Sequence, residues 1–256
     1  MSTTTAEFTT VTPTTGLQRI GRVVRLHFAN PWTTIWMPWL ILGGIFVLNL
    51  SIWYIIFAAA DDVDRAGVSR GLQYSGAMFW IFVYMMVVAV QAINITFPFA
   101  LGYGVTRRDY YLGTSLDFVI LSAIYTAGLT ILSILEEATG GWGFGGRLFT
   151  AVYFGGDWVQ RMYVFFVAFL FFFFVGAAFA AVFVRWKATG LTISLIGLAF
   201  VVVALLGIVV FTDSAGAIAS FFAGAGLVGS ASLSLVITAL AGILGYLVLR
   251  RATPRS

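Results

Sequence analysis

Three observations predict an all-α integral membrane protein with six transmembrane helices. The 256 residues are 61% apolar and 17% aromatic but only 9% charged, where soluble domains carry about 25% charged residues. The apolar runs are long and continuous, unlike the alternating segments of roughly ten residues that build a membrane barrel, so the spans are helices. The charges gather in short islands between the runs, and those islands set the boundaries.

Residues 1–16 are polar and Thr-rich and read as a disordered tail. They show no basic segment followed by an apolar core, so no secretory signal is expected and the N-terminus stays in the cytoplasm. Residues 17–250 read as a single transmembrane domain. It opens at Leu17 to Asn30, where Leu17, Ile20, Val24 and Phe28 share one helical face and Gln18, Arg19, Arg22 and Arg25 the other. This predicts an amphipathic helix lying in the interface of an anionic leaflet. Leu26 breaks the pattern, and His27 reads as an interfacial bystander.

The first span, 32–60, starts with Trp32, Trp36 and Trp39 as an aromatic belt, with Pro38 as an early kink. Asp61, Asp62, Asp64 and Arg65 mark its far side. The second span, 76–99, carries Gln91 and Asn94, and the first carries Asn49. Amides at membrane depth either bond a neighbouring helix or line a transport path, so these three are the substrate-path candidates. The third span, 115–135, ends at Glu136 and Glu137. Adjacent helical positions point about 100° apart, so the two read as solvated end charges rather than a shared catalytic or cation site.

A glycine-rich loop, 140–146, leads to the Phe-rich fourth span, 162–184, which reads as lipid-facing and packing surface rather than a substrate wall. Arg185 and Lys187 close it, and the fifth span, 188–211, follows. Residues 215–229 are rich in Gly and Ala and too short to cross comfortably, which predicts a re-entrant or interfacial segment. Within it Gly224 to Gly229 matches the bare dinucleotide pattern, but no strand precedes it and no acidic residue follows. In the sixth span, 231–249, Ser234, Thr238 and Gly242 recur every fourth residue, a stripe that permits close helix packing. Residues 251–256 form a second tail.

The island between the second and third spans is the most informative stretch. Gly102 and Gly104 end one helix, and Thr106 stands three residues before Asp109 in a capping-box spacing. Gly113 is expected to stop the short helix so begun, and a second box, Thr114 to Asp117, to start the third span. Thr106, Arg107, Arg108, Asp109, Tyr110 and Tyr111 would then offer two cations, an anion and two aromatic anchors to a partner protein. The plainer alternative is a basic loop that only fixes topology.

With six spans and the N-terminus inside, the inner segments hold Arg19, Arg22, Arg25, Arg107, Arg108, Arg185, Lys187, Arg250, Arg251 and Arg255, ten of the 14 cations. The positive-inside bias therefore predicts both termini and the 99–113 loop in the cytoplasm. No ionisable residue sits mid-span, which argues against proton or sodium coupling. With no cysteine, disulfides and thiolate metal sites are excluded, and the single histidine, His27, argues against a His-based site. No paired acids and no nucleophile with its base appear at membrane depth, so a membrane enzyme is not expected; nor is a nucleic-acid partner.

Residues 100–114, Ala-Leu-Gly-Tyr-Gly-Val-Thr-Arg-Arg-Asp-Tyr-Tyr-Leu-Gly-Thr, together with the layout of nearly the whole chain, resemble the permease subunits of exporter-type bacterial ABC transporters. The resemblance implies an elbow helix at 17–30, a coupling helix at 107–112 that docks on an ATPase, and a re-entrant piece before the last span. It also implies export of a hydrophobic or amphipathic compound across the bacterial cell membrane by two permeases, a homodimer or a pair with a related permease, with two ATPases. No G-x-x-x-x-G-K-[ST] occurs, so ATP and magnesium would be held by the partner chain and no cofactor by this one. The other class of function left open is a non-transporting membrane protein, an immunity or membrane-stress factor, whose loop binds another cytoplasmic partner.

Overall fold

Helical periodicity is realised along nearly all of the chain: the computed structural model describes residues 15–61 and 65–252, and there is no strand among them. Both expected tails fall largely outside those residues, as do Asp62 and Asp64. The helices are α1 (Gly16–His27), α2 (Met37–Ala59), α3 (Arg65–Gly71), α4 (Phe79–Gly102), α5 (Arg107–Ala138), α6 (Trp158–Phe211) and α7 (Ala215–Leu249). A π-helical turn, Trp32–Trp36, leads into α2, and turns at Gly141–Gly145 and Val152–Phe154 lie between α5 and α6. Five stretches are long and apolar enough to cross a membrane: Trp32–Ala59, Phe79–Gly102, Arg107–Ala138, Trp158–Phe211 and Ala215–Leu249.

Two of those stretches are interrupted. A straight helix of 54 residues would measure about 81 Å against a hydrocarbon core of about 30 Å, and α6 is broken at Lys187, whose φ of 57° and ψ of −156° leave the helical region. The break falls in the Arg185 to Lys187 island. A side chain at such a φ stores strain of order 1–3 kcal/mol; Val182 and Val184 before the break are buried, while the residues after it are mostly exposed. In α7 the break is at Gly226, with φ 65° and ψ −174°, where a missing Cβ makes the conformation inexpensive. Leu227, next in the chain, adjoins Gly155 in the α5–α6 connection, while the Arg250 carbonyl at the other end of α7 adjoins Arg107.

Pro38 does not kink α2; it lies in its first turn, after the π-helical turn. A proline nitrogen cannot donate to the carbonyl four residues back, which here is Thr34. That carbonyl instead accepts from the Tyr125 hydroxyl on α5 at 2.7 Å. Trp39 stacks on the Tyr125 ring at 5.3 Å, where a Cβ at Gly128 would lie 2.3 Å from its edge. Trp32 and Trp36 remain exposed, as an aromatic belt requires, but Trp39 belongs to the packing.

One stripe of α6 phenylalanines bears out the expected packing role and is not lipid-facing. Phe165, Phe169 and Phe173, one turn apart, are fully buried. Phe169 packs on Phe82 of α4 at 4.8 Å and Phe173 stacks on Phe118 of α5 at 4.9 Å, so this stripe is the core that joins three helices. Gly176 lets α4 approach closely, because a Cβ there would stand 2.6 Å from the Met86 carbonyl oxygen. The later half of α6, from Ala188 onward, is exposed almost throughout.

Glu136 is not a solvated end charge. Its carboxylate is 1% exposed and accepts from Trp142 Nε1 at 2.9 Å, from the backbone N–H groups of Leu148, Phe149 and Thr150 at 2.8, 2.9 and 2.7 Å, and from the Thr150 hydroxyl at 2.8 Å. The donors of the glycine-rich loop are thereby gathered on one residue, which fixes that loop over the end of α5. Glu137, turned away as helical geometry requires, pairs instead with Arg161 of α6 at 2.7 Å.

Candidate functional site

The α4–α5 turn is built as its glycines and threonine dictate. Helix α4 ends at Gly102, Gly104 takes a φ of 76°, and the Thr106 hydroxyl accepts the Asp109 N–H at 3.1 Å, capping α5. Beyond that cap the expectation of a separate short helix fails. Gly113 does not stop it, and Thr114 with Asp117 does not start another; α5 is unbroken from Arg107 to Ala138.

The reason lies in α1. A Cβ on Gly113 would sit 2.6 Å from the Val23 Cβ and 3.1 Å from the Ile20 carbonyl oxygen, so this glycine is where the two helices touch. Contact with α5 also rotates the buried face of α1 from the one expected. Val23 and His27 are buried while Leu17 is 81% exposed. Leu26, which broke the amphipathic pattern, packs against the core, and so does Phe28. His27 is a core residue rather than a bystander. Its Nδ1 lies 2.9 Å from the Val23 carbonyl, its Nε2 is buried without a partner, and burial pushes its pKa down.

The six residues expected to form a docking surface divide sharply. Asp109 is buried, and the Arg19 Nε donates to its Oδ2 at 2.6 Å. That hydrogen bond holds the Asp109 carboxyl below the usual carboxylate range. Tyr110 is fully buried, its ring 5.2 Å from Phe97 and its hydroxyl 2.7 Å from that of Thr96 on α4. Tyr111 is buried on the opposite flank, where its hydroxyl donates to the Gly242 carbonyl of α7 at 2.5 Å. Gly245 admits that hydroxyl, since a Cβ there would be 3.0 Å from it. The small-residue stripe of α7 thus receives an aromatic side chain of α5.

Arg107 is half-buried and donates through Nη1 to the Arg250 carbonyl at 2.7 Å, closing the C-terminal end of α7. Only Thr106 and Arg108 of the six are exposed. Asp109, Tyr110 and Tyr111 are therefore internal ties from α5 to α1, α4 and α7, while Gly102, Tyr103, Gly104 and Thr106 of the preceding turn are exposed, Tyr103 at 75%. The same i, i+3 and i, i+4 spacing serves a docking face and a packing face, and only the burial tells them apart.

The three substrate-path candidates differ in their surroundings. Asn49 donates to the Ile45 carbonyl of its own helix at 2.9 Å, Gln91 is exposed, and the Asn94 Oδ1 is buried without a partner. Asp117, one turn beyond Thr114, was missed by sequence reasoning as an interior group; it is 1% exposed, and its Oδ1 and the Thr114 hydroxyl have no partner among the described residues. Its neighbours in sequence, Leu116 and Phe118, gave no sign of which way it would face. Among the described residues no three His, Cys, Asp or Glu side chains are arranged to hold a metal. Comparison with family models, with curated proteins and with solved structures returns no match to this chain.

Proposed function

We propose that this chain is the membrane-spanning permease of an ATP-driven exporter, with a separate ATPase docking on the α4–α5 turn and a second permease completing the complex. In this reading the breaks at Lys187 and Gly226 separate six crossings from a re-entrant piece, Ala215 to Ala225, and α1 is the interfacial elbow. The positive charge at the α1 end supports a cytoplasmic position for that end, and with it for both termini, in a bacterial cell.

The observation that carries the reading is the continuity of α5 with the docking turn. A helix of 32 residues spans about 48 Å, some 18 Å more than the hydrocarbon core. Its first turns then project past the bilayer as a rigid extension of a membrane-crossing helix. A push on Gly102 to Thr106 would act directly on α5, and through Asp109, Tyr110 and Tyr111 on α1, α4 and α7. Mechanical coupling to a nucleotide-driven partner needs such a stiff path, with one end exposed and the rest buried. The cargo would be a hydrophobic or amphipathic compound, in keeping with the apolar composition of the membrane-crossing helices.

The test is affinity purification of the chain from its native membrane, with and without Tyr103→Ala. The expected result is a soluble subunit with a phosphate-binding loop that co-purifies with the unaltered protein and is depleted with the variant. If no nucleotide-binding subunit is recovered under conditions that keep membrane complexes intact, the exporter reading falls, and a partner-binding membrane protein without transport takes its place.

A further inference from the structure

The α1 end of the bundle carries an apolar groove of about 660 Å³ between α5, α6 and α7, within the range of pockets that hold small ligands. Leu112, Phe174, Leu235, Ile243 and Tyr246 form its walls, and Arg108 stands at its mouth. Two hydroxyls of its lining are already used: that of Tyr111 donates to the Gly242 carbonyl and that of Thr238 to the Ser234 carbonyl. Arg108 is exposed and makes no hydrogen bond or ion pair among the described residues.

Its exposed charged neighbours are cations. Arg107 reaches the Arg250 carbonyl, which brings the exposed Arg250 and Arg251 beside the start of α5. The carboxylate of that turn, Asp109, is buried and already bonded to Arg19. A second groove, of about 380 Å³, lies between α5 and α6 and is walled by Ala127, Val159, Met162 and Phe166 with no charged residue in its lining. The two grooves share an apolar character and differ in charge.

We propose that the groove at Arg108 is a binding site for an anionic phospholipid of the leaflet on the α1 side, its acyl chain along Leu112, Leu235 and Ile243 and its phosphate paired with the Arg108 guanidinium. Apolar walls select the chain, and a cluster of arginines at membrane-surface level selects the head group. The inference does not rest on the exporter reading, and its test involves no ATPase.

The full chain is reconstituted in phosphatidylcholine nanodiscs containing a trace of either phosphatidylglycerol or phosphatidylcholine, each with a photoreactive group in one acyl chain. After irradiation the labelled residues are mapped by mass spectrometry. The expected result is labelling at residues 108–112 and 235–246 that is about tenfold stronger with the phosphatidylglycerol probe, since both lipids offer a phosphate but only phosphatidylglycerol keeps its net negative charge, which the arginine cluster favours by about 1 kcal/mol per arginine at the surface. The uncharged groove near Phe166 labels equally with both probes. Unlabelled phosphatidylglycerol competes, and free glycerol phosphate does not. Arg108→Gln equalises the two probes, and Leu235→Trp, which fills the groove, removes labelling by either. Equal labelling of the unaltered protein by the two probes overturns the proposal, and so does protection of the groove from both, which would mean that protein covers it. If a variant fails to fold, the comparison of two probes and two grooves in the unaltered protein still decides.

Discussion

The Nε of Arg19 donates to the Oδ2 of Asp109 at 2.6 Å, joining a surface helix to the first turn of a long helix 90 residues away in the chain. Beside that pair, Gly113 receives Val23, and the two contacts together make α1 an attachment of α5 rather than a free amphipathic float.

Breaking the pair should loosen α1 without unfolding the bundle. A spin label at the exposed position 17 is expected to become more mobile in Arg19→Ala and in Asp109→Ala, with partial recovery in the charge-swapped double variant. Equal mobility in all four proteins would show that the ion pair does not hold α1.

The attachment should also depend on pH in two stages. Burial lowers the pKa of His27, so the folded state prefers the neutral ring, and the stability this represents is lost as pH falls below the ordinary histidine range near 6.5. The Asp109 carboxyl is held low by Arg19, so its contribution is complete above the ordinary carboxylate range near 4 and disappears as pH falls through its lowered value. The mobility of a label at position 17 is expected to rise in both windows, and His27→Gln should remove the upper stage alone.

Gly113→Ala places a methyl group 2.6 Å from the Val23 Cβ. Such overpacking costs about 1–3 kcal/mol, and the loss should be largely reversed by Val23→Ala in the same chain. Additive effects of the two changes in thermal unfolding would contradict the close contact.

Glu136→Ala leaves the buried donors of the α5–α6 loop without their shared acceptor. At about 1–3 kcal/mol for each orphaned donor, stability should fall by about 3 kcal/mol or more, and the 140–150 loop should become a site of proteolysis. Resistance of that loop to protease in the variant would show that other contacts suffice.

Tyr125→Phe removes the donor to the Thr34 carbonyl, at a cost of about 1 kcal/mol. Restoring an N–H with Pro38→Ala should make the same tyrosine change nearly neutral, which a double-mutant cycle in thermal unfolding measures.

Where the chain's own backbone chemistry decides the outcome, the sequence was legible. Gly102 and Gly104 end α4 and Thr106 caps α5 because a missing Cβ and a hydroxyl three residues upstream act within one turn, whatever packs around them. The charge at Arg185 to Lys187 likewise marks the place where α6 breaks. The amphipathic helix was placed to within three residues, but its buried face was not, because Arg19 turns inward only when Asp109 is there to receive it.

By itself, then, the sequence determined an apolar, helical, multi-pass membrane chain, the end of α4 at Gly102 and the cap of α5 at Thr106, since insertion and helix termination depend on local composition and on backbone freedom. The tertiary structure alone decided that Asp109, Tyr110 and Tyr111 are internal ties, that Glu136 is buried, and that Gly113 is a contact rather than a stop. Each of these turns on which neighbour arrives from a distant part of the chain. Burial, hydrogen-bond partnership and close approach are properties of pairs of elements, and no local pattern encodes the second member of the pair.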